Sequence, residues 1–173
     1  MKSLFLVITM NSPVVSFFIK LIFFLLSVMI VPVSYAVPCN KNETLVASCD
    51  LPGKIKRSAS FCTNDNQEIR YYFKKNSSIE LQIDFHQKRK LKRWVDLATY
   101  TVYLGFNNGI YSYVMGIPEE KPGAVAFMEV KKNGRILSSY NCLSNSFGKK
   151  DIDNESIEDI EDSSIRDNGF IFP

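Results

Sequence analysis

Four cysteines, one histidine and two short charged clusters are the residues of this chain whose types and spacing could do chemistry. Cys39, Cys49, Cys62 and Cys142 contain no CxxC pair, and His86 is the single histidine, so a tetrahedral zinc set cannot be assembled and no metal site is expected. An even number of cysteines in an exported chain reads instead as two disulfides, with three pairings open. A bond reaching Cys142 from Cys49 or Cys62 would close a loop of about 80 to 95 residues and contribute on the order of 4 kcal/mol by loop entropy. His86 has no neighbouring acid or nucleophile to complete a catalytic set, and it reads as a strand-end side chain facing solvent. Glu119 and Glu120 are adjacent carboxylates in a proline-bounded loop; they point apart and stay solvated, which does not suit acid–base work. The chain carries no GxSxG elbow, phosphate loop or dinucleotide fingerprint, so neither an enzyme nor a bound cofactor is expected.

The remaining chemistry is recognition. Lys88, Arg89, Lys90, Lys92 and Arg93 surround Leu91 and run into Trp94. Charge and stacking there could hold an anionic surface, but a nearly neutral mature chain with one basic run lacks the footprint of a nucleic-acid binder, so the run reads as a loop or solvated edge. Tyr71, Tyr72, Tyr100, Tyr103, Tyr111 and Tyr113 divide between core packing and the interface role that tyrosine favours.

These residues must be positioned by three segments. Residues 1–36 hold Lys2 and Lys20, no acidic residue, an apolar run over 21–31 and an ending at Ser34-Tyr35-Ala36, which is the layout of a secretory signal peptide. Met10 offers a second possible start. The apolar run is short for a membrane span of about 20 residues, so contact with a membrane would come only through an uncleaved signal. Residues 37–148 form the body, with sixteen Lys/Arg against ten Asp/Glu. Residues 149–173 reverse the balance, three against eight, and like charges at that density predict a disordered acidic tail, although Phe170, Ile171 and Phe172 could dock on the body and the acidic stretch could fold against 88–93.

Within the body the apolar pattern alternates with period two. Strands are expected over 54–62, 68–75, 79–85, 99–106, 110–115, 124–132 and 135–142. Asn108-Gly109 and Asn133-Gly134 supply tight hairpin turns, because both central positions need positive φ. Seven or eight such strands must close on themselves to hide their edges, which predicts an all-β, antiparallel barrel or sandwich.

The run from Gly105 through Tyr113, then 124–132, Asn133-Gly134-Arg135-Ile136-Leu137 and Asn141-Cys142, resembles the C-terminal half of the MliC/PliC family of bacterial lysozyme inhibitors. Cys49 to Lys54, Phe61-Cys62 and Arg70 to Phe73 are similar to a group of uncharacterised small exported bacterial proteins. The resemblance spans residues 49–142. It implies a small exported β-barrel whose final cysteine bonds to an early one, and in which a Ser-Gly-x-x-Tyr loop and a later lysine enter the lysozyme cleft. Here the first region reads Leu97-Ala98-Thr99-Tyr100-Thr101-Val102-Tyr103, without the Ser-Gly pair, and Lys121 is the counterpart of the lysine.

Together these readings describe a periplasmic or secreted domain that binds a protein, either a lysozyme-like wall-degrading enzyme or, alternatively, a toxin against which it confers immunity. An envelope structural or surface-binding role is a further alternative. The expected contact residues are Glu119, Glu120 and Lys121, with Arg93, Trp94 and Tyr103 on a neighbouring face. Thiol titration of purified residues 37–173 without reductant should find no reactive cysteine; four titratable thiols would refute the reading of the body as a cross-linked exported domain.

Overall fold

The computed structural model describes residues 38–173 except Glu120 and residues 144–146; the expected signal peptide lies outside the described residues. Ten strands and one short helix are found among them. The first sheet is a meander of β1 (Thr44–Leu51), β2 (Arg57–Thr63), β3 (Ile69–Lys75) and β4 (Ser78–Phe85). The second contains β5 (Leu91–Asp96), β6 (Thr101–Asn108), β7 (Tyr111–Ile117), β8 (Phe127–Lys132) and β9 (Arg135–Asn141) as a second meander, with β10 (Ile157–Ile160) added beside β5. The helix α1 covers Asp162–Asp167.

Alternation decides what each sheet hides. Ile69 and Tyr71 on β3 and Ile83 and Phe85 on β4 bury the face that meets Leu104, Phe106 and Met115 of the second sheet. Phe106 lies at the centre, with ring centroids 4.9 Å from Tyr71, 5.2 Å from Phe85 and 6.2 Å from Phe61. All three pairs are edge-to-face, the arrangement favoured by the ring quadrupoles. Contacts between side chains of two stacked sheets make this an all-β sandwich, as the sequence implied.

Part of the outer face of the first sheet, over β2 and β3, is covered by residues 38–43. Cys39 bonds Cys62, and the Pro38 carbonyl accepts from Ser60 Oγ at 2.9 Å and from Lys74 Nζ at 3.0 Å. Tyr72, on the opposite face of β3 from Tyr71, is buried beneath this segment and donates from its hydroxyl to Glu43 at 2.9 Å. The other disulfide, Cys49–Cys142, ties β1 to the residue after β9. Of the three possible pairings, the structure has the one that joins Cys39 to Cys62 and Cys49 to Cys142.

Three expectations are corrected. The strand count rises because β1, β5 and β10 were not expected as strands. Residues 87–93 are not simply a loop: His86 and Arg89 close a narrow turn, and from Leu91 the chain is a paired strand. Nor is 149–173 a disordered tail. Ile157–Ile160 pairs with Leu91–Trp94, and this pairing is parallel, so the second sheet is not wholly antiparallel. Isoleucines between the acids explain the outcome: Ile157 enters the main core while Ile160 packs on the opposite side of the sheet. The charges thus sit beside apolar anchors that repay ordering the segment.

Loop entropy ranks the two cross-links. With sequence separations of 93 for Cys49–Cys142 and 23 for Cys39–Cys62, their removal should cost about 4.7 and about 3.4 kcal/mol respectively. Paired Cys→Ser variants compared by urea denaturation should show the larger loss for Cys49/Cys142; the reverse order would refute the entropic account.

Candidate functional site

The six expected contact residues fall in two places. Arg93, Trp94 and Tyr103 sit where the C-terminal segment meets the second sheet, whereas Glu119 and Lys121 lie in the loop between β7 and β8; Glu120 is outside the described residues.

Consider the first group. Trp94 and Tyr103 are cross-strand partners on β5 and β6, and their rings stack at 4.5 Å and 16°. Both project from the outer face of the second sheet, a position where a simple sandwich would present polar groups. The remaining surface there is made shallow by Gly105 and Gly116. A Cβ on Gly105 would come within 2.8 Å of the Phe172 ring, and one on Gly116 within 2.2 Å of the Phe127 ring. Phe172 of the C-terminal segment fills the space at Gly105, and Phe127 of β8 fills that at Gly116. Ile165 and Phe172 close over Trp94 and Val114, leaving Trp94 only 5% exposed.

Polar contacts fix the same segment. Trp94 Nε1–H donates to Asp162 at 2.9 Å, and Arg166 Nε–H donates to the other oxygen of Asp162 at 2.7 Å while its guanidinium also reaches Asp96. The bond from Arg166, then that from Trp94, holds the Asp162 carboxyl below its ordinary range. Arg93 donates to Asp159 at 2.8 Å and to the Ile152 carbonyl at 2.8 Å, and the hydrogen bond to Asp159 raises its pKa further. Further back, Asn154 Nδ2 donates to Thr63 at 2.9 Å and Ser156 Oγ to the Gln67 carbonyl at 2.7 Å. Arg93 and Trp94 are therefore occupied by the protein itself and do not form an open docking face. This corrects the expectation that placed them beside Lys121 as contact residues. Tyr103 is half-buried, its hydroxyl pKa raised chiefly by burial.

The second group is open. Lys121 is 65% exposed on its side chain, and its partner Glu119 stands at 3.4 Å, also exposed. A pair in such surroundings is worth about 0–1 kcal/mol, so the ammonium can exchange one carboxylate for another at little cost. Pro118 and Pro122 restrict the loop, and Gly123 takes φ +86°.

Next to this loop stands a second, residues 97–100, which the resemblance set opposite the Ser-Gly-x-x-Tyr loop but which was not among the expected contact residues. Val102 pairs with Ile117, so the chain entering β6 and the chain leaving β7 emerge from the same end of the sheet. The entering chain, 97–100, is organised by Asp96: its carboxylate accepts from Ala98 N–H and Thr99 Oγ1 at 2.9 Å each, and its carbonyl accepts from Tyr100 N–H at 2.7 Å. Tyr100 is driven to φ +54°. The result is a fixed loop with Leu97 63% and Tyr100 62% exposed. Asp96 followed closely by Thr99 was the available sequence signal, a side-chain-capped turn.

Compared with models of protein families, curated proteins and solved structures, the chain matches none. The site must therefore be read on its own geometry. His86 is exposed, its Nδ1 accepting from Lys88 N–H at 3.3 Å. Among the described residues no group of His, Cys, Asp or Glu could hold a metal ion, and no helix is long and apolar enough to cross a membrane.

Because Trp94 is the single tryptophan, its emission reports on the C-terminal segment. The depressed Asp162 pKa contributes stability above the unfolded carboxylate value of about 3.9, and that contribution is lost as pH falls through the folded value. Emission should stay blue-shifted at pH 5 and shift red on acidification below pH 4; Asp162→Asn should remove much of this pH dependence. An acid titration in which wild type and variant coincide would exclude Asp162 as the group that secures the segment.

Proposed function

We propose that this protein is an exported binding domain that inhibits a wall-degrading glycosidase, using the paired loops 97–100 and 118–126. The observation that carries this reading is the conjunction at one end of the second sheet: a capped loop exposing Leu97 and Tyr100, beside a proline-restricted loop exposing Lys121 and Val125. Lysozyme-type glycosidases hold two carboxylates in a cleft. A lysine on a restrained loop suits such a cleft, since little conformational entropy remains to be lost on binding and the weak tie to Glu119 is readily replaced. Tyr100 and Leu97 supply the flanking apolar contact, with tyrosine the type favoured at interface centres.

The resemblance of residues 49–142 to bacterial lysozyme inhibitors supports the same reading, with the 97–100 turn in place of the Ser-Gly-containing loop. Two disulfides agree with export to an oxidising compartment, periplasmic or extracellular. The partner is thus a protein rather than a nucleic acid or a membrane surface.

The test is titration of the purified, oxidised protein into lysozymes of several types. Inhibition of at least one is expected, and Lys121→Glu should weaken it by about tenfold or more, equivalent to about 1.4 kcal/mol. Undiminished activity of every lysozyme would overturn the proposal and favour a toxin as the partner. Inhibition indifferent to both Lys121→Glu and Tyr100→Ala would place the contact elsewhere on the molecule.

A further inference from the structure

At the other end of the sandwich, away from both loops, lies a cavity of about 360 Å³ between the sheets. Its walls come from both layers: Phe73 and Leu81 from the first sheet, Met128, Val130 and Tyr140 from the second. The volume falls near the lower end of the roughly 300–1,000 Å³ typical of ligand pockets. The pocket opens to solvent, so its apolar walls stand against water until a ligand covers them.

One charged residue enters this apolar setting. Arg57, the first residue of β2, lines the cavity, and its Nε is buried without a hydrogen-bond partner. No carboxylate among the described residues pairs with it; Glu80, near the same strand ends, is engaged by Lys75 at 3.5 Å. Its guanidinium lies 5.5 Å from the centroid of the Tyr140 ring. That contact offsets part of the desolvation, but a ring face accepts no directed N–H bond from Nε. The turns at this end add Lys54, Lys56, Lys132 and Arg135, all exposed. The field at the mouth is therefore positive, and the lining is greasy.

We propose that this cavity binds a single-chain amphipathic anion, a medium-chain fatty carboxylate, with its head on Arg57 and its chain along Phe73, Leu81, Met128 and Val130. A carboxylate supplies the charge-assisted acceptor that Arg57 Nε lacks. The alkyl chain restores contact with the apolar walls. A neutral alcohol would satisfy only the second requirement, and a cationic amphiphile would be repelled at the mouth. The site is separate from the loops at 97–100 and 118–126 and does not depend on their role.

Isothermal titration of the purified, oxidised protein with dodecanoate, dodecanol and dodecyltrimethylammonium, each below its micellar concentration, tests this. Saturable binding of one dodecanoate is expected, about tenfold or more tighter than the ammonium compound. Arg57→Gln should lose most of that preference, while Val130→Trp should block dodecanoate and dodecanol alike by filling the cavity. If the tryptophan variant fails to fold by circular dichroism, the headgroup series and Arg57→Gln decide the matter. Absence of saturable dodecanoate binding, equal affinity for the cationic amphiphile, or an Arg57→Gln variant with unaltered preference would each overturn the proposal.

Discussion

A sheet whose two faces are both apolar must be covered twice, and the second sheet of this protein is of that kind. Its inner face is met by the first sheet. Its outer face, built on the stacked Trp94 and Tyr103 with room left at Gly105, is met by the chain's own C-terminal segment. The same segment supplies backbone partners to the free side of β5. An edge strand with exposed backbone groups invites association with other chains. Residues 154–172 therefore satisfy two needs together, one of apolar area and one of backbone hydrogen bonding.

The consequences reach the proposed contact loops through Asp96. Its carboxylate caps the 97–100 turn while also receiving the Arg166 guanidinium from α1. The C-terminal segment and the exposed turn thus share one acid, and the segment helps to hold the loop that presents Leu97 and Tyr100. Rigidity at that end lowers the entropic cost of contact with a partner. The opposite end is built differently: there a pocket lined by both sheets is apolar apart from Arg57, whose Nε has no hydrogen-bond partner among the described residues. One domain therefore offers a protruding polar-aromatic surface at one end of its strands and a recessed amphipathic one at the other.

Much of the sandwich was legible because each element had a local cause. Ile69-Arg70-Tyr71 and Leu81-Gln82-Ile83 alternate as half-buried strands must, and Asn133-Gly134 makes the expected turn with both residues at positive φ. At the other hairpin the turn falls one residue later, on Gly109-Ile110, with Asn108 paired to Tyr111 in the strand and only Gly109 at positive φ. The strands that escaped are those without that signal. β5 begins Leu-Lys-Arg-Trp, where a charged residue shares a face with Leu91 and the apolar Trp94 faces outward. β10 is only four residues long and half acidic. Its strand character comes from the free side of β5 and from Arg93, which receives Asp159; neither is adjacent in the chain. Trp94, taken alone, has the features of a contact residue, and only the folded chain shows Phe172 and Ile165 already resting on it.

Side-chain alternation, turn chemistry and an even set of cysteines are properties of neighbouring residues, so the sequence by itself determined an all-β body with its hairpins and its cross-linked character. Which cysteines meet, which apolar surface remains uncovered, and whether an acidic stretch finds cations or water depend on residues tens of positions apart. Those were decided by tertiary structure, because burial and electrostatic pairing act through space and leave no local periodicity in the chain.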